Sequence, residues 1–114
     1  MTDPRDTFDF VIIGAGAAGE AAVELAREGR HTAAIIDRDL FGGSCAYWAC
    51  MPSKSLLHAA AIHHAGGEYP WQKASDFRDW MISREDTDYP SDAGHEARYR
   101  EIGAEPIRGT ALLD

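Results

Sequence analysis

The sequence predicts an α/β fold in which a β-α-β unit opens a parallel sheet. Three observations carry it. Residues 8–13 form a short, apolar, β-branched run; a glycine-rich turn then leads into an alanine-rich stretch; and a second β-branched run at residues 32–36 is followed at once by a carboxylate.

In the first of these, Phe8-Asp9-Phe10-Val11-Ile12-Ile13 reads as a strand buried in a parallel sheet, and it ends abruptly at Gly14. From Ala17 to Glu28 the residues favour helix. Ala18, Ala21, Ala22, Leu25 and Ala26 recur at three- and four-residue spacing, and Gly29 stands just beyond as a stop. Thr32 to Ile36 is the second strand, parallel to the first because the crossover contains a helix, and Asp37 falls at its C-terminal end. A turn-rich link, Asp39 to Ser44, leads to a cysteine segment. Pro52 then suits the first turn of a helix over Pro52 to His64, which Gly66-Gly67 ends. Farther on, Phe77, Trp80, Met81 and Arg84 fit one helical face, Asp86 to Asp92 reads as a loop, and Ser91 is placed to cap a helix ending at Gly103. Ile107 to Leu113 resembles a last strand with Pro106 at its entrance.

A chain of 114 residues suits one small domain, and 45% hydrophobic with 26% charged residues is the composition of a globular protein. Nineteen acidic against eleven basic residues give a formal charge of -8, which opposes attraction to phosphate backbones or anionic lipid. Nucleic acid and membrane are therefore not expected as partners. The apolar stretches are too short to cross a bilayer and no secretion signal opens the chain, so a cytoplasmic location is the expectation. Two cysteines cannot build a multi-bridge secreted framework, and a close pair in a reducing compartment is more often catalytic or metal-binding.

Gly14-Ala15-Gly16-Ala17-Ala18-Gly19 has the spacing of the dinucleotide-binding fingerprint. The first glycine permits the tight turn, the second lets backbone approach a pyrophosphate, and the third lets helix and strand pack closely. Unpaired N–H groups at the helix start then face the anion. A plain glycine-rich turn would show the same letters; the preceding strand, the following helix and Asp37 at the next strand end make this a Rossmann-like site, with Asp37 poised to accept hydrogen bonds from an adenosine ribose. A solvated charge is the simpler reading of Asp37, and Arg38 reads as solvent-facing.

The fingerprint does not separate FAD from NAD, but Cys45-Ala46-Tyr47-Trp48-Ala49-Cys50 does, since a dithiol beside a nucleotide suggests electron transfer. Residues five apart in a regular helix lie beyond the roughly 7 Å that a disulfide spans, so a bridge requires a distorted turn. Pro52 gives a reason for irregular backbone there. Cys50 then falls near a helix N-terminus, which favours a thiolate, with Lys54 one turn on. Two unbridged, buried cysteines, or a zinc site using Cys45, Cys50 and some of His58, His63 and His64, are the alternatives at this point.

Gly14 to Gly19, Gly42-Gly43-Ser44-Cys45 and Cys50-Met51-Pro52-Ser53-Lys54 together resemble the pyridine nucleotide-disulfide oxidoreductases, most firmly over Phe8 to Leu57. The resemblance implies a Rossmann-like FAD-binding domain, incomplete relative to the family, with residues 1–114 as the N-terminal part of a single domain. It implies hydride transfer from NAD(P)H to FAD, reduction of a Cys45–Cys50 disulfide, and exchange with a small-molecule or protein-linked disulfide substrate in redox homeostasis. Cys45 resembles the interchange thiol and Cys50 the charge-transfer thiol. Gly14, Gly16, Ala17, Ala18, Gly19, Asp37, Gly43, Ser44, Lys54 and Ala111 match FAD-contacting positions, Ala111 through its backbone. No metal is implied.

The sequence departs from the family at Asp37, where most members have glutamate, and at Tyr47-Trp48-Ala49, whose rings are expected to narrow access to the disulfide. A second glycine fingerprint for NAD(P)H, a later FAD segment and the interface domain of the family's homodimer are not in the chain, so it reads as a partial chain, inactive alone. His58, His63, His64 and His95 match no family motif. A nucleotide-binding module that performs no exchange is the competing function, and a metal–thiol protein comes third.

Overall fold

The computed structural model describes residues 7–84 and 90–114. The chain forms two compact units, one of residues 1–43 and 93–114 and one of residues 44–92.

In the first unit β1 (Phe10–Ile13), α1 (Ala17–Glu28) and β2 (Ala33–Asp37) make the β-α-β unit, with α5 (Ala93–Glu101) and β3 (Glu105–Arg108) completing it. The sheet is parallel throughout, in the order β1-β2-β3, so β2 is central. Ile12 pairs with Ile35, and Ile35 with Pro106. The core lies against this row: Ala15, Val23, Ala26, Ala33, Ile35, Phe41, Tyr99 and Ala104 are buried together, with Ile12 and Ile102 packed on them.

The α1 bounds agree with the sequence reading, but the buried stripe is Gly19, Val23 and Ala26, while Ala18, Ala21, Ala22 and Leu25 face outward. The cause is at Gly19, where a Cβ would collide with the carbonyl oxygen of Gly14. That contact presses one edge of the helix onto β1, and the alanine-rich edge turns to solvent.

The last strand is shorter and earlier than expected. It covers Glu105–Arg108, and Ile107 to Leu113 is strand only at its first two residues. Pro106 lies inside it, buried, which an edge strand tolerates because the missing N–H would face away from the ladder. Pairing closes when Gly109 N–H donates to Asp37 O at 2.9 Å. The preceding helix α5 starts at Ala93, two residues after Ser91, and stops at Glu101, before Gly103 turns to φ +81°.

In the second unit α2 (Gly43–Tyr47, its first residue belonging to the other unit) leads into α3 (Cys50–His64) and α4 (Trp71–Ser83), with α3 and α4 packed together. Pro52 sits in the first turn of α3 as expected. The helix expected around Phe77 is α4, but the face differs: Ala74, Ile82 and Ser83 are buried, whereas Phe77 and Trp80 stack on each other at 5.8 Å and stay nearly half exposed. Ala74 lines a pocket with Leu56, Ala59, Ala60 and His63 of α3. Of the loop read at Asp86 to Asp92, residues 90–92 are irregular and 86–89 lie outside the described residues.

Candidate functional site

The glycine turn is built by strand, turn and helix in sequence. Gly14 N–H donates to Ile36 O at 2.8 Å as β1 ends, and Gly16 stands at the head of α1 without a side-chain cap. A Cβ at Gly14 or Gly16 would meet no protein atom within 4 Å, so this backbone faces open space. The first N–H groups of a helix have no intrahelical partner, and those of α1 lie at this turn. Ala17 and Ala18, both exposed, form the first turn.

Asp37 is not a solvated charge. Its Oδ2 accepts from Ala15 N–H at 2.8 Å and its Oδ1 from Asp39 N–H at 2.9 Å. One carboxylate thus ties the end of β2 to the glycine turn. Each oxygen keeps a second acceptor position, and Asp37 lines a cavity of about 270 Å³ with Ile13, Gly14, Ile36, Arg38, Gly109, Thr110 and Ala111. That volume lies just below the roughly 300–1,000 Å³ usual for small-molecule sites. Ala111 belongs to this cavity, though it follows β3 in irregular chain rather than lying on a strand. Arg38, read from sequence as solvent-facing, is exposed and yet lines the same cavity. Gly109 and Thr110 were not expected there; Gly109 marks where β3 releases its backbone.

Gly43 packs on the turn so closely that a Cβ would stand 2.7 Å from Gly16 Cα, and Gly42 N–H donates to Ala15 O at 2.9 Å. The Gly42-Gly43 pair and the fingerprint therefore meet backbone to backbone, with the exposed Ser44 next along the chain.

In the second unit Cys45 and Cys50 form a disulfide with their Cα atoms 4.6 Å apart. The backbone departs from a regular helix to allow this. α2 ends at Tyr47, the N–H groups of Trp48 and Ala49 both donate to Ser44 O at 2.8 Å, and Ala49 takes a non-helical conformation (φ -129°, ψ -96°) before α3 begins at Cys50. Ser53 fastens the turn from behind: its Oγ donates to Ala49 O at 2.6 Å and its N–H to the same oxygen at 3.1 Å. The sequence placed Ser53 in the Cys50-Met51-Pro52-Ser53-Lys54 motif without assigning its side chain a role. Cys45 is exposed and Cys50 half-buried, and Lys54 is exposed one turn along α3. Between the cysteines Tyr47 is buried at 4% exposure and Trp48 is 56% exposed, so of the two rings expected to narrow access the indole alone is open to solvent.

With both sulfurs bonded to each other, the unbridged-cysteine reading is overturned. Among the described residues no three His, Cys, Asp or Glu side chains gather as a metal site, and no helix is long and apolar enough to cross a membrane.

Residues 8–101 match the family described as pyridine nucleotide-disulphide oxidoreductase. The chain belongs to this family. Among its relatives, dihydrolipoyl dehydrogenase 3 of Pseudomonas aeruginosa is 40% identical over 67 residues, 56% of this chain and 14% of that protein. The dihydrolipoyl dehydrogenase of Rhizobium etli is 30% identical over 109 residues, 95% of this chain and 21% of its own length. The soluble pyridine nucleotide transhydrogenase of Marinobacter nauticus is 45% identical over 53 residues, 46% of this chain and 11% of that one. Among solved structures, the Cu(II) complex of the HOCl-induced flavoprotein disulfide reductase RclA from Escherichia coli superimposes with a TM-score of 0.74 at 21% identity, over 92% of this chain and 22% of that one. The fold is that of a flavoprotein disulfide reductase. The chain spans about a fifth or less of the length of these relatives.

Proposed function

We propose that this chain is the FAD-binding opening part of a flavoprotein disulfide oxidoreductase, in which Cys45–Cys50 is the redox-active disulfide. The observation that carries the proposal is that disulfide, set at the first residue of α3 on a chain that also holds an open glycine turn.

The residues present fit the cofactor. Gly14, Gly16, Ala17 and Ala18 offer backbone and a helix start to a pyrophosphate, and Gly19, buried against the Gly14 carbonyl, sets the close approach of that helix; Gly43 and Ser44 bring a second backbone segment; Asp37 and Ala111 line a cavity that suits the adenosine end. Lys54 is assigned to the flavin end by the resemblance of its motif. Bound FAD would supply a two-electron carrier between NAD(P)H and the disulfide.

The sulfur chemistry belongs to this chain's own residues. Two electrons and two protons open the Cys45–Cys50 bond to two thiols. Cys45, exposed, is the attacking sulfur: its thiolate displaces one thiolate from the substrate disulfide and forms a mixed disulfide. Cys50 then attacks the Cys45 sulfur, releases the second substrate thiolate and restores the original bond. Cys50 suits this second role because the N–H groups at the start of α3 favour its thiolate, and Pro52 in that turn has no N–H to lose. The substrate class is a small-molecule or protein-linked disulfide, the setting the cytoplasm, and the full-length assembly a homodimer.

The test is titration of FAD with the chain, followed by flavin fluorescence. Saturable binding at one FAD per chain is expected. A folded chain with its disulfide intact that leaves flavin fluorescence unchanged contradicts the proposal.

A further inference from the structure

The two rings between the cysteines are sorted to different sides of the turn that carries them. Trp48 N–H donates to Ser44 O at 2.8 Å, so the helical path of α2 runs one residue past Tyr47 and includes Trp48. Residues three apart on a helical turn are neighbours on its surface, whereas residues two apart face away from each other. Cys45 and Trp48 stand three apart and both are exposed; Tyr47, two residues after Cys45, turns inward and is buried. Ser44 and Ala49, the other exposed residues of this turn, are too small to cover Cys45 or the indole. The indole is therefore the large apolar surface beside Cys45. Indole left in water brings the fold little from burial, and its flat face is open to a ligand that can stack on it.

We propose that Trp48 is a specificity-determining residue of the thiol–disulfide exchange, and that its indole selects substrate disulfides whose sulfur carries an aromatic ring. The substrate ring stacks on the indole while the Cys45 thiolate, one helical turn away, attacks the sulfur that bears it. This deepens the reading of Cys45–Cys50 as the redox-active disulfide and rests on it. The bonds change at sulfur alone: Cys45 joins the ring-bearing sulfur and the other substrate sulfur leaves as a thiolate; Cys50 then attacks the Cys45 sulfur and releases the ring-bearing thiolate. The chain gives up two electrons and regains its disulfide, and the substrate leaves as two thiols. Trp48 makes and breaks no bond. A ring that only narrowed the approach would slow every disulfide; a ring that stacks favours one class over another.

The test compares two reagents on the full chain. Native protein, Trp48→Ala, Trp48→Phe and Trp48→Leu are reduced, freed of reductant and mixed with dipyridyl disulfide, whose sulfurs carry aromatic rings, or with hydroxyethyl disulfide, whose sulfurs carry short polar arms. Remaining thiols are trapped by alkylation at set times and counted by mass, and each variant is compared with the native chain one reagent at a time, so that the unequal reactivity of the two reagents cancels. In Trp48→Ala the rate constant for dipyridyl disulfide is expected to fall about tenfold, the size of a lost ring stack, with hydroxyethyl disulfide unchanged within about twofold. Trp48→Phe, which keeps a ring, is expected to recover part of the loss. Trp48→Leu, apolar but without a ring, is expected to behave as Trp48→Ala, and it decides should thermal melting show that Trp48→Ala does not fold. Equal slowing of both reagents, no change in either, or faster reaction with both overturns the inference and leaves the redox reading of the cysteines standing. A reduced native chain that regains its disulfide with neither reagent overturns that reading and this inference together.

Discussion

Cys50 closes the disulfide with Cys45 and opens α3, and its chemistry follows from being in both places. The first N–H groups of a helix have no intrahelical partner, and a sulfur beside them is stabilised as thiolate. In a Cys45→Ser chain the remaining Cys50 is expected to become reactive at lower pH than Cys45 does in a Cys50→Ser chain, because only Cys50 lies at a helix start. The pH dependence of iodoacetamide alkylation of the two variants measures this, and equal profiles would remove the distinction between the two roles. The cysteine spacing and Pro52 made the distorted turn legible from sequence, because a regular helix could not bring the sulfurs together. The fastening of that turn by the Ser53 hydroxyl was not legible, since a serine in a helix carries no mark of which carbonyl it will reach. Asp37 was placed correctly at the end of β2, but that its carboxylate would also take the Ala15 amide depends on the three-dimensional path of the turn.

β1 and β2 are stapled at their N-terminal ends. Asp9 Oδ2 accepts from Thr32 N–H at 2.7 Å and from Thr32 Oγ1–H at 2.9 Å, while Asp9 N–H donates to Thr32 Oγ1 at 2.9 Å. These bonds, the backbone one foremost, hold the Asp9 carboxyl below its ordinary pKa. A carboxylate depressed in the folded state stabilises the fold above its unfolded pKa and ceases to do so as pH falls through the folded value. Asp9→Asn is therefore expected to melt below the native chain at neutral pH, with the gap closing only as pH falls below the ordinary aspartate range and through the lowered pKa of the folded chain. Thermal melts between neutral and acidic pH read this directly, and a gap that persists into acid would assign the effect to packing instead. At this scale the elements with strong local signals were read well: the bounds of α1 follow from alanine-rich helix propensity between two glycines. The faces of α1 and α4 were not. In α1 the close approach at Gly19 rotates the buried stripe, and in α4 Ala74, Ile82 and Ser83 are buried in place of Phe77 and Trp80. The strand β3 was shifted because a proline that reads as an entrance is accommodated within an edge strand.

For the whole molecule, the α/β class and the parallel sheet follow from alternating strand and helix signals, and the family from the joint pattern of glycines, cysteines and Pro-Ser-Lys, which the match over residues 8–101 bears out. Division into two compact units had no signal in the sequence, because α2 starts in one and continues in the other without a break in composition. The proposed function requires Cys45 and Cys50 to act as one two-electron couple. The most direct measurement is a redox titration: the chain is equilibrated in glutathione buffers spanning roughly -180 to -320 mV, free thiols are trapped by alkylation, and the masses are counted. Cys45 and Cys50 are expected to pass together from unlabelled to doubly labelled in a single transition with the slope of two electrons. Accumulation of singly labelled or glutathione-capped chain, or two thiols free at every potential, would contradict it.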